Sequence, residues 1–559
     1  MSDKTPYPCV LVSDFNLQNF AGYAANDRDL PDLHPLTPAP GPLPALLNPD
    51  APHWRDTPEV ALIWTRPESV SPAFAALLRY ERPAVEAVLR EVDDFCARVS
   101  AVSGRVRHVF VPAWTLPAGG GSGLLDMQPG AGPAHTLMRM NVRLAENLEP
   151  AANVHVLNAQ AWVDAAGPNA FSPKLWYLGK VPFGNAVFEA ALRDVKAGLR
   201  GILGCSRKLV LLDLDDTLWG GVVGEVGWEN LVLGGHHHRG EAFADFQRAL
   251  RALKNRGTLL AIVSKNEEQV ALDALGRHPE MVLGLGDFAG RRINWQDKVD
   301  NILELLAELN LGPQSAVFID DSPAERARVR ESLPEVLVPE WPADPMEYPA
   351  ALARLRCFET PSLSAEDASR TALYLSETRR RELRANVTSP EEWLRRLKLR
   401  VRVEALQPSN LQRTTQLLNK TNQMNLATRR MSAAELAAWA APDHRRVWAL
   451  RVCDAFGDAG LTGILSLEIR NGRAWIVDFV LSCRVMGRRI EEAMLAVAAE
   501  RAGAAELAAR YVATPRNKPC LDFFTGLAPR FRREGDLFIK RAEQAFGFPA
   551  HIELVGDRS

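Results

Sequence analysis

The stretch Leu211–Leu218, LLDLDDTL, decides the fold of the middle of this chain. The apolar run that leads into it, Lys208 to Leu212, predicts a buried strand. Two carboxylates at alternate positions, Asp213 and Asp215, follow the carboxyl end of that strand. Because ligands of open α/β sheets bind outside the carboxyl ends of the strands, the stretch predicts an acidic ligand site on a parallel sheet.

Three later features follow in the order that a phosphate site on such a sheet requires. Ser264 comes directly after a second predicted strand, and Lys298 opens a predicted helix. Asp320 and Asp321 follow a third predicted strand. The predicted strands are residues 208–212, 259–263 and 316–319, and the predicted helices are residues 243–254 and 298–309. This alternation is typical of a βαβ series.

The residue types assign chemical roles, because a phosphoryl group needs an in-line nucleophile and counter-charge for its oxygens. Asp213 would attack phosphorus to form an aspartyl phosphate. Asp215 would protonate the leaving oxygen and then activate water. Ser264 and Lys298 would bind phosphoryl oxygens. Thr217 joins the predicted substrate-binding set because it would brace the turn that faces them.

The acidic residues also predict a Mg²⁺ ion. Carboxylates this close repel one another when all are ionised, and Mg²⁺ favours carboxylate and phosphate oxygens. The expected ligands are Asp213, the backbone carbonyl of Asp215, and Asp320, with Asp321 as a further ligand or a supporting acid. The alternative is that each acid merely caps a surface turn. Four motifs in order favour catalysis, and competent residues at all four positions argue against a degenerate site.

The intervals between Asp213, Ser264 and Lys298 leave no room for a large inserted cap domain. An uncapped site is open to solvent unless another domain covers it. This favours a large or protein-tethered substrate over a small one.

Composition limits the classes of protein to consider. The 559 residues suggest about three domains, and a net charge of −2 gives no reason to expect nucleic acid or an anionic membrane as partner. We expect a cytoplasmic protein, since the first residues lack a secretory-signal layout and no apolar run is long enough to span a bilayer. No pair of the seven cysteines has CxxC spacing, which agrees with a reducing compartment.

The flanking segments have their own patterns. Apolar runs in the first segment predict strands at residues 9–12, 60–64, 106–111 and 154–157 of a parallel α/β layer, with a helix at 74–99 and a Pro-rich loop at 35–52. Gly119 to Gly123 is a glycine-rich loop without the lysine of a P-loop. In the last segment, Asn471-Gly472 predicts a hairpin between residues 461–469 and 473–481.

Four runs of sequence resemble the FkbH-like family of the haloacid-dehalogenase superfamily (subfamily IIIC). They are Asp215–Glu225, Ile319–Arg326, Asn419–Asn425 and Ser482–Arg488. The resemblance implies transfer of a glyceryl group from 1,3-bisphosphoglycerate to an acyl carrier protein, with loss of phosphate, for polyketide-type biosynthesis. It also implies Mg²⁺ as cofactor.

The resemblance implies a multidomain α/β architecture. An SGNH-hydrolase-like α/β domain would span residues 1–204, and a haloacid-dehalogenase-like Rossmannoid catalytic domain residues 205–345. A helical connector would follow at 346–396. A GNAT-like (acetyltransferase-like) α+β domain would complete the chain at 397–559.

Thioester formation predicts a second site in the last domain. Cys483 is the first candidate for an acyl-carrying thiol, because Arg484 and Arg488 would stabilise its thiolate. Cys205 is a weaker candidate. Two alternatives stay open: Cys483 has a purely structural role, or the carrier's own thiol attacks directly. The turn that holds Arg484 and Arg488 loosely resembles an acetyltransferase pyrophosphate-binding turn, and it would bind a phosphopantetheine arm.

The sequence of the first domain gives no indication of catalysis. Ser13-Asp14-Phe15-Asn16 stands where an SGNH nucleophile turn would lie, but the usual Gly-Asp-Ser is missing. We expect a scaffold or a carrier-docking domain. His236 to His238 are expected in a solvent loop, since three consecutive residues cannot all face one ion. Two rivals to the glyceryl-transfer hypothesis remain open, a plain phosphatase and a non-catalytic assembly-line scaffold, and the acyl group itself remains open too.

Overall fold

A computed structural model describes residues 6–27, 29–38, 41–55, 58–119, 123–361, 389–503, 506–541 and 546–555, with isolated positions between 371 and 387. The chain divides into two compact units. One contains residues 1–206 with 356–361, and the other contains residues 207–355 with 362–559. The second unit contains two separate sheets.

The first unit is built on a five-stranded parallel sheet with strand order β2-β1-β3-β4-β5. The strands are β1 (Tyr7–Val12), β2 (Leu33–Leu36), β3 (Val60–Ile63), β4 (His108–Pro112) and β5 (Val154–Leu157). Parallel sheets are covered on both faces, and apolar clusters pack on both sides of this one. The predicted parallel α/β layer is confirmed, and β2 is an additional strand that its single proline-interrupted run LHPL did not reveal.

The helices of this unit differ from the predicted pattern in two places. The single helix predicted at residues 74–99 is wrong. Two helices occupy the region, and the backbone between them turns through positive φ at Tyr80 and Arg82, just before Pro83. Likewise, the predicted loop at 35–52 contains the end of β2 and a short helix. The helices are Gln18–Asn26, Leu43–Leu46, Pro67–Val70, Pro72–Leu77, Val85–Ser103, Pro133–Leu148, Ala159–Ala166, Pro173–Gly179 and Asn185–Ile202. Of the predicted glycine-rich loop, residues 120–122 lie outside the described residues.

A four-stranded parallel sheet of order β8-β7-β6-β9 begins the second unit. Its strands are β6 (Leu209–Leu212), β7 (Leu259–Ser264), β8 (Phe288–Ile293) and β9 (Ala316–Ile319). The three predicted strands are confirmed, whereas β8 was missed because arginines interrupt its apolar pattern. The helices around it are Val223–Val226, His238–Asn255, Glu268–Arg277, Lys298–Glu308, Pro323–Ser332 and Tyr348–Arg354. As expected, the fully described stretch from β6 to β9 contains no inserted cap domain.

The last sheet is mixed and has the order β16-β17-β15-β14-β13-β12-β10-β18, with β11 paired to β14. Its strands are β10 (Leu399–Ala405), β11 (Met424–Asn425), β12 (Arg445–Asp454), β13 (Gly457–Arg470), β14 (Arg473–Leu481), β15 (Glu506–Arg510), β16 (Arg532–Glu534), β17 (Leu537–Arg541) and β18 (Ile552–Val555). The helices are Pro390–Leu397, Pro408–Lys420, Ala433–Ala440, Ile490–Arg501 and Lys518–Gly526. The predicted hairpin is confirmed, and Asn471 and Gly472 have positive φ as a two-residue primed turn requires.

These sheets confirm a multidomain chain of mixed α/β structure. Much of the predicted connector at 346–396 lies outside the described residues, and the three boundaries between the four predicted domains stay predictions. Among the described residues, no helix is long and apolar enough to cross a membrane.

Candidate active site

The carboxyl edge of the β6–β9 pair brings three carboxylates together. Leu212 of β6 lies opposite Ile319 of β9, so Asp213 and Asp320, the next residues on each strand, are neighbours. Oxygens of Asp213, Asp320 and Asp321 lie within 4.8 Å of one another. The sequence placed these residues on separate strands, and the parallel register makes them one cluster.

Lys298 lies at the centre of this cluster. Its Nζ is 3.1 Å from Asp213 Oδ1 and 2.6 Å from Asp320 Oδ2, and the residue is only 3% exposed. Burial alone would lower the pKa of Lys298, but the two carboxylates outweigh burial and raise it. The lysine is therefore a fixed positive charge at the amino end of helix Lys298–Glu308.

The cluster keeps an excess of negative charge that fits a divalent cation. Burial and the charge of Asp213 raise the pKa of Asp320 to about 6, despite its ion pair with Lys298. Burial, followed by Asp213, also raises the pKa of Asp321. Within the described residues, the buried Oδ1 of Asp213 has the lysine as ion-pair partner but accepts no hydrogen bond of good geometry. Clustered, partly unsatisfied carboxylate oxygens are the donor set that Mg²⁺ prefers.

Asp215 accepts hydrogen bonds from three neutral donors. Its Oδ1 accepts hydrogen bonds from Trp219 Nε1 (2.8 Å) and from the backbone N–H of Val223 (3.1 Å). Its Oδ2 accepts one from Asn266 Nδ2 at 2.8 Å. Burial raises the pKa of Asp215 although these three bonds oppose the rise. Neither Trp219 nor Asn266 was predicted from the sequence, although Trp219 lies within the run Asp215–Glu225 and Asn266 lies two residues after Ser264.

The remaining predicted residues of this site lie around the same edge. Ser264 is the last residue of β7 and is buried. Thr217 is also buried, and its Oγ1 accepts a hydrogen bond from the backbone N–H of Asp321 at 3.2 Å, which is the bracing position expected of it. Arg326 adds a support that the sequence did not predict, because its guanidinium donates to the backbone carbonyls of both Asp320 and Asp321 at 2.7 Å.

The predicted thiol site has a different character. Cys483 is exposed, in the turn between β14 and the helix Ile490–Arg501, and Cys205 is exposed as well. Arg488 is not open to a ligand as predicted: it is 2% exposed and its guanidinium is 3.1 Å from Asp454, a carboxylate that also pairs with Arg380. That buried ion pair gives Arg488 a structural role. The role of Cys483 stays a prediction.

Arg484 and the polar residues near this turn also bond within the protein. The guanidinium of Arg488 donates to the backbone carbonyl of Arg484 at 2.6 Å. The backbone N–H of Gly487 donates to the buried carboxylate of Glu491 at 3.2 Å, so one amide of the expected anion-binding turn already has an internal acceptor. Asn419 and Asn425, at the two ends of the run Asn419–Asn425, both bond to nearby backbone groups.

The first unit has a polar group at its own carboxyl edge, where Ser13 and Asp14 follow β1. Asp14 forms an ion pair with Arg66 at 2.7 Å and accepts a hydrogen bond from Ser69 Oγ at 2.5 Å. Ser13 Oγ accepts from the backbone N–H of Phe15. His236, His237 and His238 are exposed as expected, but His238 is the first residue of the helix His238–Asn255 and not part of a loop.

Fold and site together define a haloacid-dehalogenase-type phosphatase domain. A structure of the N-terminal part of protein BF1531 from Bacteroides fragilis, which contains a phosphatase domain and was crystallised in complex with Mg, is similar to this chain. The two share 28% sequence identity with a TM-score of 0.59, over 65% of this chain and 97% of that structure. The likeness supports a relationship to the FkbH-like branch of the superfamily.

Other comparisons add little. The ribosomal-protein-S18-alanine N-acetyltransferase of Escherichia coli matches 28% of this chain, and 98% of its own, at 10% identity and a TM-score of 0.19. A domain from Methanocaldococcus jannaschii matches 25% of this chain, and 95% of its own, at 12% identity and a TM-score of 0.20. Such low TM-scores support no conclusion about the last domain. No family model matches the sequence, and no curated protein matches it either.

Proposed function

We propose that this protein is a Mg²⁺-dependent phosphotransfer enzyme that converts 1,3-bisphosphoglycerate and an acyl carrier protein into glyceryl-carrier thioester and phosphate. The observation that carries the phosphotransfer part is the cluster of Asp213, Asp320 and Asp321 around Lys298. The Mg-bound phosphatase domain of the Bacteroides protein supports the metal. The glyceryl and carrier parts rest on the sequence resemblance.

Asp213 is the nucleophile of the phosphoryl step. One of its oxygens bonds to phosphorus while the bond from phosphorus to the leaving oxygen breaks, and Asp215 gives that oxygen a proton. Water then attacks the aspartyl phosphate, gives a proton back to Asp215, and releases inorganic phosphate. Lys298 holds positive charge beside the nucleophile throughout. A Mg²⁺ ion bound by Asp213, Asp320, Asp321 and the Asp215 carbonyl would neutralise phosphoryl oxygens.

Chemistry decides which phosphate this site removes. Attack on the phosphorus of the acyl phosphate would leave a free carboxylate, and the activation needed for a thioester would be lost. Attack on the phosphate ester at the other end of the substrate keeps the acyl phosphate intact. A thiol sulfur then bonds to the acyl carbon, the bond from that carbon to the phosphate oxygen breaks, and the thiol proton is released. The sum is 1,3-bisphosphoglycerate, thiol and water giving glyceryl thioester and two phosphates.

The thiol belongs either to the carrier's phosphopantetheine or to Cys483 as a relay. Exposure of Cys483 supports access by a macromolecular partner. The buried ion pair of Arg488 with Asp454 removes one of the two cations that were expected to activate Cys483, which favours direct attack by the carrier.

The test incubates the full chain with Mg²⁺, 1,3-bisphosphoglycerate and a holo carrier protein, followed by intact mass spectrometry of both proteins and a phosphate assay. We expect a glyceryl adduct on the carrier. Asp213→Asn should leave either a phosphoglyceryl adduct, if the thioester forms first, or no adduct, if dephosphorylation comes first. Absence of any adduct with the wild-type chain would disprove acyl transfer.

Cysteine variants separate the two routes. Cys483→Ala and Cys205→Ala each remove one of the two exposed cysteines, and both variants should load the carrier at the wild-type rate if the carrier thiol attacks directly. A loss confined to Cys483→Ala would establish the relay.

The second candidate is a plain phosphatase, which the phosphatase domain of the Bacteroides protein favours. It predicts release of one phosphate per phosphate ester, without any carrier adduct. A non-catalytic scaffold predicts neither product.

A further inference from the structure

Asp215 differs from its acidic neighbours in how it is held. Asp213 and Asp320 both pair with the charged Lys298. Asp215 has Trp219, Val223 and Asn266 as its hydrogen-bond donors, and none of them carries a charge. Three neutral donors to its two oxygens fix the orientation of the Asp215 carboxylate without an ion pair.

The geometry leaves one position on this carboxylate open. A carboxylate has about four lone-pair sites on its two oxygens. Trp219 and Val223 both donate to Oδ1, while Asn266 alone donates to Oδ2. Within the described residues, the remaining lone pair therefore lies on Oδ2. Trp219 is fully buried and Asn266 is 4% exposed, so packing fixes both donors.

We propose that Trp219 and Asn266 are positioning residues that orient the Asp215 carboxylate so that Oδ2 faces the leaving oxygen. This inference rests on the proposed phosphotransfer function and deepens it. The leaving alkoxide takes its proton from Oδ2 as the bond to phosphorus breaks, and water returns a proton to Oδ2 in the hydrolysis step. The orientation matters most for an alkyl phosphate, because an alkoxide is a poor leaving group until it is protonated.

Leaving-group dependence gives a readout that a merely structural role would not change. The substrates are 3-phosphoglycerate, with an alkyl leaving group, and p-nitrophenyl phosphate, whose leaving group is a weak base. The variants are Trp219→Phe, which keeps an aromatic ring without the N–H, and Asn266→Ala. The measured quantity is kcat/KM with Mg²⁺, because it reports the steps through departure of the leaving group when phosphorylation of Asp213 is irreversible.

We expect each variant to lose about 10- to 100-fold in kcat/KM on the alkyl phosphate, a fraction of the ~10²–10⁴-fold worth of general acid–base catalysis. On p-nitrophenyl phosphate the loss should stay below about threefold, since little protonation is needed. Asn266→Gln, which keeps the amide, should recover part of the alkyl-phosphate activity.

Matched controls are Trp341→Phe, a buried tryptophan whose indole N–H has no partner among the described residues, and Asn301→Ala, a buried asparagine bonded to Asn294. Both should leave the ratio of the two kcat/KM values unchanged. Equal losses on both substrates in Trp219→Phe and Asn266→Ala, with unchanged thermal melting, would overturn the positioning role. A wild-type chain that releases phosphate neither from these two substrates nor from 1,3-bisphosphoglycerate with carrier would instead overturn the proposed function itself.

Discussion

Two parallel sheets in this chain place acidic residues at their carboxyl edges. The acidic residues of the two edges differ in how their charge is balanced. In the first unit, Asp14 follows β1 and every described bond to its carboxylate comes from Arg66 or Ser69. At the β6–β9 edge, Asp213, Asp320 and Asp321 share the single cation Lys298 within their cluster.

The difference is one of charge balance. Asp14 has an arginine and a hydroxyl as donors, so its carboxylate is satisfied within the protein. Three carboxylates with one lysine are not neutralised, and burial then raises the pKa of Asp320 and Asp321. The same strand-edge architecture thus gives a closed ion pair in one unit and a candidate metal site in the other.

The largest expected effect comes from removing the nucleophile. Asp213→Asn should lower phosphate release by at least about 10³-fold, because an amide cannot form the acyl-phosphate intermediate. Steady-state phosphate release measures the loss. The matched Asp14→Asn change at the other edge should leave phosphate release within about twofold of wild type, because that edge supplies no reacting group. Comparable losses in both variants would contradict the conclusion that only the β6–β9 edge is catalytic.

Mg²⁺ should stabilise the chain by binding at the cluster of Asp213, Asp320 and Asp321, and not at Asp14. At about 100 times its dissociation constant, Mg²⁺ should add about 2.7 kcal/mol to the free energy of unfolding of the domain that binds it. Asp320→Asn should abolish the resulting rise in melting temperature, whereas Asp14→Asn should keep it. A Mg²⁺-dependent shift that survives Asp320→Asn would place the ion elsewhere.

This stabilisation should depend on pH with a defined sign. The pKa of Asp320 in the metal-free folded state is raised from 3.8 to about 6. Between these values the folded state holds more protons at this group than the unfolded state, so the group's contribution to metal-free stability falls as pH rises through that window. Mg²⁺ competes with the same proton, so the Mg²⁺-dependent melting shift should be full at pH about 7.5 and smaller below pH about 6. A shift that grows on acidification would contradict this assignment.

The smallest expected effect is structural and belongs to the first unit. Arg66→Ala leaves the mostly buried Asp14 without its cation, which should lower the free energy of unfolding by about 1–3 kcal/mol. Denaturant unfolding measures the loss, and phosphate release should be unaffected. A gain of phosphatase or esterase activity would show that the ion pair conceals a catalytic group.

Much of the central domain was predictable from the sequence. The apolar runs before Asp213 and Asp320 are buried strands because a parallel sheet covered on both faces selects uninterrupted β-rich runs. The strand β8 was missed because Arg291 and Arg292, which are exposed and half-buried, interrupt the apolar run of this edge strand. The prediction of one helix at 74–99 was wrong because the backbone has positive φ at Tyr80 and Arg82, which apolar periodicity cannot reveal.

The residues of the candidate site also fall into those that the sequence predicted and those that it did not. Asp213, Lys298 and Asp320 were identifiable because phosphoryl transfer demands those residue types in that order. Trp219 and Asn266 were not, because an indole and an amide carry no such signature. Arg488 was misread, since the charge of a side chain does not show that Asp454 neutralises it inside the protein.

The sequence by itself determined which residues can do chemistry, since functional groups and strand-forming runs are local properties. Only the tertiary structure decided which of them meet. The register of β6 against β9 joins Asp213 to Asp320, and the approach of Asn266 fixes Asp215. In the first unit, the neighbouring strand brings Arg66 to Asp14 and closes that edge. Charge balance depends on distances between residues remote in sequence, so it appears only in the folded chain.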